Sequence, residues 1–309
     1  MSVPLFFNHH SVPAKDDETA RALLLDTCRG IAVLVNRKRC LPTWLSHESV
    51  ETTEFAKGYF FANFRTEVAR GRDRDLFVLL SRISLRHPFR DNLPEEVREV
   101  FDRTDAQLRE APELGSVPVL AAAQISGGIA VGLASADVWD TSTLPIVLVG
   151  FDDNLNEDSR DPDAKVLNLS RFTHADDLER HFAAQDREYR LENWENVLPQ
   201  WVLHHEFREW LAAAQPASVI HRVMHHADAL QRLSFNVGRP TVDVLHGSKL
   251  NNLKELRVLV NGSNPLRIFF ARRPDQKAVM LTAGFKGGNH TFYDTHIALA
   301  EKRYSDGTH

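Results

Sequence analysis

Apolar residues along the chain follow two periods, and the changes between them lay out the expected elements. In residues 16–40, Ala20, Leu23, Leu24, Thr27, Ile31 and Leu34 recur at helical spacing behind Asp16 and Asp17, which can cap the helix. A second helical pattern over 60–86 carries Phe60, Phe64, Leu76, Leu79, Leu80 and Ile83 and stops at His87-Pro88. Pro94-Glu95-Glu96 starts a third helix, with Pro and acids in its first turn. The character changes near Gly115. Residues 117–125, 128–135 and 144–151 are short apolar or β-branched runs parted by Gly, Asp, Thr and Pro, and they predict antiparallel strands. The acidic stretch 152–164 reads as a solvated loop, 165–169 as another short strand, and 173–185 as a helix.

From about residue 190 the pattern describes a separate module. Trp194, Trp201, Phe207 and Trp210 lead into a turn at LAAAQP, and an amphipathic helix follows with Ile220, Val223, Ala227 and Leu230 on one face. Gly238 marks its end. Three strand-like runs, NLKELRVLV, LRIFFAR and AVMLTAGF, are joined by the hairpin-like turns NGSNP and RPDQK, and a last helix closes the chain. The expected class is α+β. A mainly helical region covers 1–114 and an antiparallel β-rich region with an acidic loop covers 115–200. A small domain at 201–309 has two helices, a three- to four-stranded antiparallel sheet and a C-terminal helix.

Composition adds little until charge is divided along the chain. A hydrophobic content of 43% is ample for a core, and no stretch of 18 uninterrupted apolar residues predicts a membrane span. The start of the chain lacks the features of a secretory leader, and two cysteines, Cys28 and Cys40, make no disulfide framework, so a cytoplasmic setting is expected. The net charge of −5 hides a split. Residues 204–309 hold 14 Lys and Arg against 9 Asp and Glu, whereas the 203 residues before them hold 23 against 33. Such a division points to a C-terminal part that meets an anion.

The strand around residue 255 shows where that anion would sit. Period two puts Glu255 and Arg257 on one face and Lys254 on the other. Arg267, Lys286 and the end of GFKGGNH can converge near that sheet, and gathered cations make a phosphate-binding surface.

Residues 206–309 resemble the RelE/ParE superfamily of bacterial toxins, in its HigB-like, phage-derived branch. The resemblance rests on EFREWL (206–211), GRPTVDVLHGSKLNNLKELR (238–257), LRIFFA (266–271), VMLTAGFKGGNHTFYDTHI (279–297) and AEKRY (300–304), in the family's order and spacing. It implies a metal-independent endoribonuclease that needs no cofactor and cuts mRNA, usually in the ribosomal A site, by 2′-OH attack that leaves a 2′,3′-cyclic phosphate. It assigns Arg257 and Arg267 to the charge of the transition state, and Lys254 to substrate phosphate and proton transfer. Tyr293 would stack on a base or orient the 2′-OH, and His290 is an extra proton-transfer candidate. Arg239, Lys249 and Lys286 would bind substrate. Phe285 stands where the family often has an acidic residue. The implied partners are mRNA, the ribosome and a small helix-turn-helix antitoxin, in a toxin–antitoxin or phage-defence system. No membrane partner is expected.

Each of these residues also has a structural reading. Arg257 can pair with Glu255 or Glu301, Arg267 can be a structural ion-pair partner, and Tyr293 can pack on the sheet. Lys249 and Lys286 can be solvated, and Lys254 can serve architecture. His221 and His225, four apart, form a possible metal pair, but Asp228 and Arg232 beside them read as an exposed polar stripe. His204-His205-Glu206 fails as a zinc-protease motif because Glu209 stands where the second His belongs. Cys28 falls inside the first helix. The acidic front can act as an intramolecular restraint on the basic C-terminal domain, or can serve solubility alone. Two function classes follow: an RNA-cutting toxin, or a non-catalytic module that binds RNA, a ribosome or a protein through the same fold.

Overall fold

The computed structural model describes the chain apart from residues 1, 2, 72, 94, 153, 215, 216, 233, 234, 236–241, 259–264, 288, 289, 308 and 309, and the side chains of 74, 96, 187, 214, 217 and 218. The Gly238 cap and most of the NGSNP turn fall outside the described residues. The chain divides into two units. One comprises residues 1–93 and 101–182, the other residues 94–100 and 183–309.

The first unit is built on an eight-stranded sheet. Its strands are β1 (Val3–Phe7), β2 (Cys40–Ser46), β3 (Ser84–Arg86), β4 (Thr104–Leu108), β5 (Ile129–Val131), β6 (Thr143–Phe151), β7 (Glu157–Asp161) and β8 (Lys165–Leu169), in the order β3-β2-β1-β5-β8-β6-β4, with β7 paired to β6. The first five in that order are mutually parallel. Strands β4, β6 and β7 are antiparallel additions at one side. Helix α1 (Asp17–Asn36) connects β1 to β2, capped by Asp16, whose carboxylate accepts from the Thr19 N–H at 2.8 Å. It buries Ala20, Leu24, Cys28, Ile31 and Leu34 against the sheet. At Gly30 the helix comes so close to β8 that a Cβ would stand 2.9 Å from the Leu169 side chain and 3.2 Å from the Arg171 carbonyl. Helices α2 (Phe61–Arg70) and α3 (Arg74–Arg82) follow β2, α4 (Pro118–Ser126) precedes β5, and α5 (His174–Glu188) follows β8.

Several expectations are corrected here. Residues 118–126 form a helix, not a strand. Proline opens it, three alanines favour it, and Val119, Leu120, Ala121, Ala122 and Ala123 are all buried, so no period shows. The run after it contributes a parallel strand, β5, not an antiparallel one. The pattern at 60–86 is two helices and then strand β3. Part of the acidic loop pairs with β6 as β7. VPLFF, not singled out in the sequence, is a central strand.

In the second unit, strands β9 (Trp201–Leu203), β10 (Val242–Val244), β11 (Leu253–Val258), β12 (Leu266–Arg272) and β13 (Ala278–Phe285) form a sheet in the order β9-β13-β12-β11-β10. The last four are antiparallel hairpin neighbours, and β9 joins β13 in parallel. One face packs on helices α6 (His205–Ala214) and α7 (Ala217–Arg232) through Leu256, Val258, Leu266, Ile268, Phe270 and Met280. The other packs on the closing helix α8 (Phe292–Ser305) through Leu253, Phe269, Ala271, Val279 and Leu281. The expected exposed stripe on α7 is exposed only in part: Arg232 is open to solvent, but His221 and Asp228 are buried, with Tyr189 donating to Asp228 at 3.3 Å.

Candidate functional site

The α8 face of the second sheet carries its charge. Alternation puts Leu253, Glu255 and Arg257 on that face of β11, and the register sets Arg257 directly opposite Arg267 of β12. Two like charges side by side on adjacent strands repel. Glu255 resolves this. One of its carboxylate oxygens accepts from Arg257 Nε at 2.7 Å and from Arg267 Nη1 at 2.6 Å, while the residue itself is 0% exposed. Arg267 is buried too, and its Nη1 also donates to the Tyr293 hydroxyl at 2.7 Å. Arg257 reaches Asp243 of β10 at 3.3 Å and Glu99, on the short helix Glu95–Phe101, at 3.8 Å.

Helix α8 brings Tyr293 to this cluster from its first turn, and the ammonium of Lys286 lies 5.1 Å from the centre of the Tyr293 ring. Burial, followed by the nearby Glu255 charge, raises the Tyr293 phenol above its ordinary value although Arg267 pulls the other way, so Tyr293 is a neutral hydroxyl at physiological pH. For Arg257, burial opposes the charge, but Glu255 and Asp243 outweigh it and hold the guanidinium more firmly charged than usual.

The structure therefore gathers Arg257, Arg267, Tyr293 and Lys286. Lys254 lies on the opposite face of β11, as period two requires. The backbone of Lys249 donates to Glu301, which stands eight residues along α8 from Tyr293, about 12 Å at 1.5 Å per residue. His290 is exposed in the turn before α8. Arg239 lies outside the described residues. Sequence reasoning gave Glu255 only as an ion-pair partner, although its place two residues from Arg257 on one strand face signals a shared neighbour. It also passed over His296, one turn beyond Tyr293. Its ring stacks on Phe269 with centroids 5.3 Å apart, and burial lowers its affinity for a proton. Gly284 is what admits that ring, since a Cβ there would meet His296 Nε2 at 2.7 Å. Cys28 is an inert thiol, its pKa raised to about 12 by complete burial.

Comparison with known proteins bears on this same segment. Residues 209–305 match the family described as phage derived protein Gp49-like (DUF891). Over this segment the chain is similar to Gp49-like domains of the RelE/HigB-like kind. Two curated relatives from Mycobacterium tuberculosis (strain ATCC 25618 / H37Rv) align with part of the chain. "Putative toxin HigB2" is 41% identical over 71 residues, which are 23% of this chain and 35% of that protein. "Putative toxin HigB3" is 38% identical over 77 residues, 25% of this chain and 65% of that protein. The chain thus spans about a third and about two thirds of the lengths of these relatives. No solved structure matches. Among the described residues, no helix is long and apolar enough to cross a membrane.

Proposed function

We propose that the Gp49-like domain is the toxin of a toxin–antitoxin or phage-defence system and that it cuts mRNA without a metal, on the ribosome. The observation that carries this reading is that Arg257 on the sheet and Lys286 just after β13 both lie by a neutral Tyr293 from the first turn of α8. In the proposed reaction the ribose 2′-oxygen, giving its proton to solvent water, attacks the adjacent phosphorus, the bond from phosphorus to the 5′-oxygen of the next nucleotide breaks, and Arg257 and Lys286 stabilise the charge on the phosphoryl oxygens. Tyr293 orients the 2′-OH or stacks on the base. Arg267, buried between Glu255 and Tyr293, is a positioning residue that fixes the phenol. Lys249 and Lys254, away from that cluster, bind RNA flanking the cut, and His290 is the candidate for returning a proton to the leaving group. The names of the two relatives support the toxin reading, and a small helix-turn-helix antitoxin is the partner it calls for.

A second reading draws on a different feature. Arg257 and Arg267 are matched by Glu255, Asp243 and Glu99, as in a network that shapes a surface. On that reading the domain binds RNA, a ribosome or a protein and cuts nothing. Inducing the chain in a bacterial host and mapping RNA ends separates the two. New ends bearing 2′,3′-cyclic phosphates, lost on Tyr293→Phe, support cleavage. Growth arrest without new ends supports binding. Pairing of Glu99 with Arg257 is also the contact through which the front of the chain would restrain the domain.

A further inference from the structure

The first unit holds a second concentration of chemistry, in a part of the chain to which nothing so far gives a role. Its parallel strands run β3-β2-β1-β5-β8, so the chain steps outward from β1 in one direction to β3, then returns to place β5 on the other side of β1. Open parallel sheets bind ligands outside the carboxyl ends of the strands near such a reversal. Topology alone says nothing about which ligand, but the residues at those ends do.

Residues 1–182 contain six histidines, and five of them follow closely on the carboxyl end of a parallel strand. His9 and His10 come after β1, His47 after β2, His87 after β3 and His174 after β8. His9 and His10 lie in a 3-10 turn capped by Asn8, whose side-chain oxygen accepts from the His10 N–H at 3.1 Å. The register pairs Phe7 of β1 with Ser46 of β2, which brings His47 and Glu48 alongside that turn. The ring of Phe89 flanks His47 at 6.2 Å between centroids. Partial burial, then the neighbouring His47, lowers the affinity of His10 for a proton, and burial lowers that of His9 against the pull of Glu48.

Besides His9 Nε2, two polar groups on fully buried residues at this edge are left unmet. Asn8 Nδ2 and Ser46 Oγ have no hydrogen-bond partner, and both residues are 0% exposed. Such groups are rare in folded proteins, and each calls for an explanation. Asn8 Nδ2 can only donate, and neutral imidazoles and a serine hydroxyl can donate as well. The unmet capacity therefore favours an acceptor-rich ligand. No glycine-rich phosphate loop follows β1, so the donors here are side chains. Glu48, just beyond the end of β2, has the opposite bias: an exposed carboxylate suited to accept from sugar hydroxyls.

We propose that the carboxyl edge of β1 and β2 is a nucleotide-binding site, in which Asn8, His9, His10 and His47 hold the phosphates and Glu48 holds the ribose. Phe89, nearly buried beside His47, closes the site on its apolar side. The site is independent of the RNA-cutting reading of the second unit.

The test is isothermal titration of the full chain with ATP, NAD and inorganic pyrophosphate. The expected result is one molecule of ATP or NAD per chain. His10→Ala and His47→Ala replace exposed side chains, so they should leave the melting temperature unchanged and weaken nucleotide binding at least tenfold each. Glu48→Gln should weaken ATP several-fold and leave pyrophosphate as it was. Arg257→Lys, in the other unit, should leave all three unchanged. Absence of binding at millimolar concentrations overturns the proposal and assigns Asn8 and Ser46 to trapped water. So does binding that both histidine variants retain, or binding that Arg257→Lys removes.

Discussion

The two sheets handle polar groups in opposite ways. In the first unit the buried polar residues lie mainly near the strand ends and are uncharged, and several of them are tied to backbone. Thr27 donates to the Gly132 and Ser170 carbonyls, Ser11 accepts from the Leu133 N–H, and Asn168 donates to the Trp139 and Thr141 carbonyls. In the second unit an ionic cluster is set into the face itself, with Glu255 and Arg267 both buried under α8. A neutral polar group at a strand end can be removed at the cost of a hydrogen bond. A buried charge cannot lose its partner without leaving an ion in a poor solvent.

The largest effect should come from breaking that cluster. Arg267→Ala leaves Glu255 with Arg257 alone and should destabilise the chain by about 3–5 kcal/mol. Arg267→Met paired with Glu255→Leu should recover much of that loss, since apolar replacements of a buried ion pair are often neutral. A thermal or urea melt reads both. If Arg267→Ala melts with the parent chain, the cluster is not a structural centre, and the contrast between the sheets fails. Next comes Arg257, which is partly exposed. Arg257→Ala should keep the fold and reduce RNA cleavage roughly 100- to 1000-fold, as loss of one placed charge stabiliser does. Tyr293→Phe should act similarly on cleavage while hardly moving the melt. A folded Arg257→Ala variant with full toxicity would remove the catalytic assignment.

How much of this was legible in the sequence follows from the same contrast. The antiparallel strands β11, β12 and β13 are bounded by turn residues, so their order could be read. The central parallel strands β1 and β5 are covered on both sides and lose the alternation that marks a half-buried strand. β1 and β5 are short apolar runs, and α4 is apolar all round, so periodicity could not tell helix from strand there. In the site, alternation correctly set Arg257 apart from Lys254. It could not show that Arg257 and Arg267 face each other, because register depends on the hairpin between them. For that reason Glu255 was read as one ion-pair option among several.

A smaller effect tests the packing of the first unit. Gly30→Ala puts a methyl group against Leu169 and the Arg171 carbonyl, and only the leucine side chain can give way. The expected cost is about 1–3 kcal/mol, the range for overpacking. Gly58→Ala is the control, because nothing stands within 4 Å of its Cβ, although its φ of 74° carries strain of its own. If Gly30→Ala is neutral, the helix–sheet contact is looser than this geometry requires.

The smallest effect concerns the restraint. The helix Glu95–Phe101 supplies Glu99 to the second unit, where it lies 3.8 Å from Arg257 with 52% of its side chain exposed. An ion pair that open is screened by salt and worth at most about 1 kcal/mol. Glu255 and Asp243 remain on Arg257 whether or not Glu99 is present. Glu99→Gln should therefore raise RNA affinity by no more than about fivefold, the equivalent of 1 kcal/mol. RNA binding itself weakens with salt, so the comparison must be made at one fixed ionic strength. Glu99→Lys should go further, since it adds a cation where an anion stood. Deleting the whole acidic front would remove this contact and everything else the front does. A gain no larger than that of Glu99→Gln would confine the restraint to this one carboxylate. If neither Glu99→Gln nor Glu99→Lys raises RNA affinity or toxicity, Glu99 does not restrain the domain, and its pairing with Arg257 belongs to the structural network around Glu255.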